Sequence, residues 1–407
     1  MTEPSLRDPL RRRPFRHLAA GYVVNELGDG LGVIALSVLV FEATGSAFAT
    51  TALFIGVGFI PALLTPFLIV RLERPSPRLV LTALYAAEAL IFAALAVLAH
   101  HFSLTAIVLL ATADASLAVT AKSLTRGTVA VMLEPHGELR AGNAILNVAF
   151  TVGAAVGPAI AGLAVAGLGV QATLFLDAAS FLLISLIVAA AGQLPTSHAE
   201  PGRLFERVGA GLAHIRENLT LRRVVTAEAA LLVFFSLVVP VEVFYAKETL
   251  GAGDAGYGLL VASWGVGMVL GSTAFASLSR APLPVLLFFS TLGIGAGYLG
   301  MAVAPGLAVA CAAAVLGGLG NGVHWVTAIS SVQELTAPQM QVRTIGTLES
   351  IASAAPALGY LIGGALTTAW DPRLTFVVAG VGVFVVVGLA APRIGSRWPE
   401  IASRNSA

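Results

Sequence analysis

The stretch GYVVNELGDGLGVIALSVLVF, residues 21–41, decides how the rest of the chain is read. It is apolar enough for a buried helix, yet Glu26 and Asp29 stand three residues apart inside it. The apolar run begins near residue 17, so it reaches the roughly 20 residues that a membrane-crossing helix needs. Composition points the same way. Of 407 residues, 57% are hydrophobic and 11% charged, where a soluble domain carries about a quarter charged. One globule in water cannot hide that much apolar surface, so a lipid bilayer is the expected solvent. The basic start MTEPSLRDPLRRRPFRH is followed by no small-residue cleavage site, which reads as a retained first span and not a signal peptide.

Working outward, apolar runs between polar or Pro/Gly punctuation give twelve expected spans. They lie at 17–41, 47–71, 78–100, 103–132, 140–167, 171–192, 223–246, 255–279, 283–304, 306–335, 343–369 and 373–391. The fold class expected is an all-α membrane protein. Residues 1–192 form an N-terminal six-helix bundle, 193–222 a cytoplasmic linker, and 223–407 a C-terminal six-helix bundle with a tail. The linker contains Leu204, Val208, Leu212 and Ile215 at helical spacing, which reads as an amphipathic segment. Lys and Arg favour the cytoplasmic side. With the N-terminus inside, all of them fall in cytoplasmic segments except Lys122 and Arg126, within helix 4, and Lys247 and Arg373, outside. Both termini are therefore expected in the cytoplasm, and the protein in the cell (inner) membrane. A net charge of +1 argues against a nucleic-acid partner, which needs a basic footprint. Cys311 is the single cysteine, so an intrachain disulfide is excluded.

The halves resemble each other. VGAAVGPAIAGLA (152–164) parallels SAAPALGYLIGGAL (353–366), and FEATGSA (41–47) parallels KETLGAG (247–253). Two parallel six-helix repeats form a known transporter plan, with the substrate site between the halves. On LGDGLGVIALSVLVFEATGS, LEPHGELRAGNAILN, VGAAVGPAIAG and LFLDAASFLLISL, taken in order and spacing, the chain resembles the major facilitator superfamily. Within it, the chain is most similar to the drug-efflux branch that includes macrolide and enterobactin exporters.

Two superfamily signatures are present in altered form. The helix 2–3 loop, normally G-x-x-x-D-R-x-G-R-[RK], reads IVRLERPSPRL. Glu73, Arg74 and Arg78 stand at charged positions, while Ile69 and Ser76 replace the glycines. The resemblance implies a cytoplasmic gate of Glu73, Arg74, Arg78 and Arg126; an ordinary basic turn is the alternative. The helix 5 antiporter motif, G-x-x-x-G-P-x-x-G-G, appears as Gly153, Gly157, Pro158 and Gly162, with Ala161 for one glycine. Small residues at this spacing let helices approach closely, and the proline bends the helix.

An ionisable residue at bilayer depth costs about 2.5–3.5 kcal/mol on insertion scales. It therefore faces water, finds a partner or takes up a proton. Glu26 and Asp29 fall near the middle of span 1, and positions i and i+3 share a helix face. Two carboxylates there repel when both are ionised, and such a pair can take a proton from one side and release it to the other. The superfamily places helices 1, 4, 7 and 10 around the central cavity. By resemblance, that cavity receives Asn25, Glu26 and Asp29 from helix 1 and Asp114 from helix 4. Helix 7 supplies Glu228 and Glu242, and helix 10 supplies His324 and Trp325. Glu26, Asp29 and Asp114 are the expected proton-coupling groups. Each acid also has another reading, as a substrate counter-ion or a structural hydrogen-bonder. His324 is a relay or a packing histidine, Trp325 a stacking platform or ordinary packing, and Glu228 a partner of Arg222 or Arg223.

The function expected is proton-coupled export of small amphipathic or cationic compounds by a monomer, with protons and a small-molecule substrate as its partners. An importer or amphipathic-lipid flippase of the same plan is the alternative. A membrane enzyme or sensor is disfavoured, since the sequence has no H-E-x-x-H and no G-x-x-x-x-G-K-[ST]. No cofactor and no metal are expected.

Overall fold

The computed structural model describes residues 7–72, 75–195, 212–278, 281–336 and 340–395. The described residues contain no strand, and twelve helices in them are long and apolar enough to cross a membrane. We number them α1 (Arg13–Thr44), α2 (Ala47–Leu72), α3 (Pro77–Leu98), α4 (Leu104–Leu133), α5 (Leu139–Leu168) and α6 (Val170–Ala189). The second set is α7 (Leu219–Ser236), α8 (Gly253–Ser277), α9 (Leu283–Val303), α10 (Leu307–Glu334), α11 (Gln341–Ala369) and α12 (Pro372–Gly395). The all-α, twelve-span architecture expected from the sequence is the one observed.

Helix ends follow local chemistry. Gly45 closes α1 in the left-handed region (φ 56°), its N–H bonding Phe41 O at 2.8 Å. Only glycine takes that conformation without strain. Asn218 caps α7, accepting from Thr220 N and Leu221 N at 3.1 Å each. The seventh span departs from expectation. Instead of one helix over 223–246, α7 stops at Ser236 and a 3-10 turn Val239–Val241 follows. A short helix, Glu242–Phe244, and a wide π turn, Tyr245–Thr249, complete the span. Pro240, inside the 3-10 turn, has no N–H to continue the ladder and disfavours helical geometry before it.

The chain divides into two compact units. Unit 1 holds residues 1–45 and 55–201; unit 2 holds 46–54 and 202–407. In unit 1, α1 packs on α5 and α6, and α3 on α4 and α6. In unit 2, α10 packs on α8 and α9, while α7 packs on α11 and α12. Of the linker's four apolar positions, Leu204 and Val208 lie outside the described residues. Leu212 is exposed, whereas Ile215 is buried with Leu221, Val224, Val225, Val332, Leu335 and Leu348. The segment before α7 is thus seated on unit 2, where Asn218 Nδ2 also donates to Leu335 O at 3.3 Å.

The repeat read from the sequence recurs in the packing. In unit 1, Gly157 of α5 lies against Leu27 O of α1. At the matching place in unit 2, Gly359 of α11 lies against Val233 O of α7.

Candidate functional site

The site is built on the α1–α5 crossing. A Cβ placed on Gly153 would sit 2.6 Å from Glu26 Cβ and 2.7 Å from Glu26 O. One on Gly30 would sit 2.6 Å from the carbonyl carbon of Gly157. The glycines of NELGDG and of the helix 5 motif therefore face each other, so the two backbones touch where the acids project. Pro158 lies inside α5, and Gly162 is buried on it. Gly28 and Gly32 serve the other flank: a Cβ on either would come within 2.9 Å of an Asp177 carboxylate oxygen on α6. Near its start α1 is fixed to α5 by a two-pronged ion pair. Arg12 Nε donates to Glu138 Oε2 at 2.7 Å and Nη2 to Oε1 at 2.9 Å.

On this frame Lys122 of α4 reaches both α1 acids. Its Nζ donates to Asp29 Oδ2 at 2.6 Å and lies 3.0 Å from Glu26 Oε1. The Glu26 side chain is 5% exposed and that of Asp29 33%, so Glu26 is the enclosed member and Asp29 the open one. Two carboxylates against one ammonium leave a single negative charge when all three are ionised. One turn along α4, Arg126 Nη2 donates to Tyr22 OH at 2.9 Å and to Asn147 Oδ1 at 3.5 Å. Its guanidinium carbon stands 5.7 Å from the centre of the Tyr22 ring. Tyr22, Glu26 and Asp29 thus line one edge of α1, and Lys122 and Arg126 answer them from α4.

Asn25 is buried, and its amide atoms have no hydrogen-bond partner among the described residues. Asp114 of α4 keeps one carboxylate oxygen without a partner. Glu88 of α3 is fully buried with neither oxygen bonded. Asp177 is also fully buried, and Ser180 Oγ donates to its Oδ1 at 3.1 Å.

In unit 2 the sequence-derived residues separate. His324 is buried on α10, with Nε2 2.9 Å from Oε1 of Glu228. Glu228 therefore pairs with a histidine 96 positions away, where a neighbouring arginine, Arg222 or Arg223, was the partner expected. Trp325, the next residue, is 40% exposed and points away from that pair, because successive helical residues are about 100° apart. Glu242 is half-buried at the start of the short helix after the Pro240 break. Of the expected cytoplasmic gate, Glu73 and Arg74 lie outside the described residues, and Arg78 is half-buried in the first turn of α3.

Lys122, which the sequence reading set within helix 4 without a partner, is the residue the structure adds to the acid pair. The signal was available in kind: a lysine within a span needs an acid on a facing helix. Its address was not, since Asp29 is 93 positions away.

Twelve helices long and apolar enough to cross a membrane, and no strand among the described residues, mark a multi-pass membrane protein with an acid–lysine centre on a glycine crossing. The family model described as Major Facilitator Superfamily matches residues 227–399. The chain is similar to the multidrug efflux pump Tap of Mycobacterium tuberculosis (strain ATCC 25618 / H37Rv), 31% identical over 261 residues. That match spans 62% of this chain and 60% of the relative. The multidrug efflux pump Tap of Mycolicibacterium fortuitum is 26% identical over 426 residues, 98% of each chain. In fold, the chain is similar to the nucleoside transporter NupG, with a TM-score of 0.80 and 12% identity, covering 94% of this chain and 99% of that one. It is likewise similar to a bacterial homologue of the iron transporter ferroportin in an inward-facing state. There the TM-score is 0.74 at 14% identity, covering 95% and 99%. The solved structures that share this fold are themselves described as transporters.

Proposed function

We propose that this protein exports small cationic or neutral amphipathic compounds in exchange for protons, by alternating access of the Glu26–Asp29–Lys122 centre to the two sides of the inner membrane. The observation that carries the reading is the charge count at that centre. With Lys122 bridging both acids, one negative charge is left over, and either a proton or a monocationic substrate neutralises it. The two therefore compete for one vacancy, which is the requirement for antiport. Asp29, the more open acid, meets the incoming species; Glu26, enclosed against Gly153, holds Lys122 in place. Asp114, nearer than Lys122 to the outer end of α4, is the next proton acceptor on that side. The likeness to the multidrug efflux pumps named Tap and the glycine–proline motif of α5 support export over import. The Lys/Arg asymmetry supports cytoplasmic termini, and the protein works as a monomer.

The test uses inverted membrane vesicles and ethidium as the probe. ATP-independent ethidium accumulation is expected, abolished when the pH gradient is collapsed and abolished in Asp29→Asn. Accumulation insensitive to the gradient would refute proton coupling.

A further inference from the structure

The His324–Glu228 pair has a second half that the α1 centre does not use. While His324 Nε2 lies 2.9 and 3.1 Å from the two oxygens of Glu228, Nδ1 faces two hydroxyls of α9. Thr291 Oγ1 is 3.0 Å away and Ser290 Oγ 3.4 Å. Both hydroxyls also reach one carbonyl, Leu287 O, at 2.6 Å from Thr291 and 3.1 Å from Ser290. A hydroxyl has one proton to donate and two lone pairs to accept with. With both hydroxyl protons on Leu287 O, Thr291 accepts from Nδ1–H, both ring nitrogens donate, and an imidazolium faces a carboxylate. With the Thr291 proton turned onto Nδ1, the ring is neutral and Nε2–H still donates to Glu228. Each state leaves every one of these buried atoms bonded. The heavy penalty for an unpaired buried polar group therefore falls on neither.

A route to the ring exists. Glu228, Thr291 and His324 line a cavity of about 50 Å³, otherwise walled by apolar side chains such as Val224, Leu287, Phe288 and Ala390. That is room for a few water molecules, at roughly 10–15 Å³ of such space each. It lies where the first turns of α7 and α9 meet the last turns of α12, so it reaches the pair from one end of unit 2. Glu228 is the ionisable partner within bonding reach. The other ionisable groups on the surrounding elements are Arg222 and Arg223 at the start of α7, Asp254 and Tyr257 on α8, Tyr298 on α9, Cys311 and Glu334 on α10, Tyr360 on α11 and Arg373 at the far end of α12. The side chains of Arg343 and Glu349 on α11 and of Arg393 on α12 lie outside the described ones.

We propose that His324 and Glu228 form a second proton-binding site, contained within unit 2. The proton is held at His324 Nδ1, exchanged with water in the cavity, and handed on and off by rotation of the Thr291 and Ser290 hydroxyls. The step is a bare proton transfer: the Nδ1–H bond breaks, the proton passes to a cavity water, and the lone pair left on Nδ1 is taken up by the Thr291 O–H.

The experiment needs no substrate and no transport, so it can fail while export stands, and the reverse. Full-length protein in lipid nanodiscs, carrying ¹⁵N-imidazole histidine, is observed by NMR from pH 5 to 9. The His324 signals are identified by their loss in His324→Gln, or by their displacement in Thr291→Val should the first variant not fold. They are expected to pass reversibly between a form with two protonated nitrogens and one with Nδ1 bare. In Glu228→Gln the midpoint is displaced by about one pH unit or more, the scale of a neighbouring charge; in Asp29→Asn it stays where it was. A ring held in one protonation state throughout, or a midpoint indifferent to Glu228→Gln, would overturn the proposal.

Discussion

Gly153 of α5 stands so close to Glu26 of α1 that a single added carbon would lie 2.6 Å from the glutamate Cβ. The glycine motif of one helix and the acid of another are therefore one structural unit. The helix that carries charge into the bilayer is held where its partner has no side chain.

Gly153→Ala should therefore destabilise the protein by about 1–3 kcal/mol, the usual cost of overpacking a close contact. At Gly157 the same substitution meets Leu27 O at 3.3 Å and should cost less. Apparent melting temperatures of the two variants in one detergent decide it. Equal stability of both with the parent protein would mean that α1 and α5 are not in close contact.

Replacing Lys122 by methionine leaves two carboxylates facing each other without a cation. Loss of one partner from a fully buried ion pair costs about 3–5 kcal/mol. Since Lys122 and Asp29 are partly exposed, a smaller loss of about 1–3 kcal/mol is expected here. Adding Glu26→Gln to Lys122→Met should recover most of it, and a double-mutant cycle on thermal stability measures the coupling. Additive losses would show that the lysine and the glutamate do not interact.

The Arg12–Glu138 clamp supplies a pH dependence outside the spans. Its hydrogen bonds and charge hold the Glu138 carboxyl below the usual carboxylate range. A depressed folded-state value stabilises the protein above the unfolded value, near 4.3, and that stabilisation is lost as pH falls through the folded one. Parent protein should thus exceed Arg12→Gln in stability by a constant margin from about pH 6 to 8. The margin should shrink below about pH 4. A margin unchanged at acid pH would mean that the clamp is not ionic.

How much of this was readable beforehand differs by kind of feature. The spans were legible because each needs only a local apolar run, and, the broken seventh apart, their observed ends lie within a few residues of those expected. The glycines of α5 were legible as spacing, though not as a contact with Glu26. What a linear reading lacks is the partner across the bundle. Lys122 meets Asp29, and His324 meets Glu228, at separations of 93 and 96 residues. Neither pairing leaves a mark near either residue. The break of the seventh span was signalled by Pro240, but apolar continuity on both sides outweighed it. Glu88 and Asp177 announce themselves as acids in apolar helices, while their complete burial follows from packing alone.

The most direct measurement is the proton count at the Glu26–Asp29–Lys122 centre. Purified protein in weakly buffered detergent with a pH indicator receives saturating ethidium at a pH where the centre holds its proton. Release of about one proton per chain is predicted, since one vacancy serves proton and cation in turn. Release should disappear in Asp29→Asn while ethidium binding weakens. Ethidium bound without proton release, or the same release from Asp29→Asn as from the parent protein, would contradict the account.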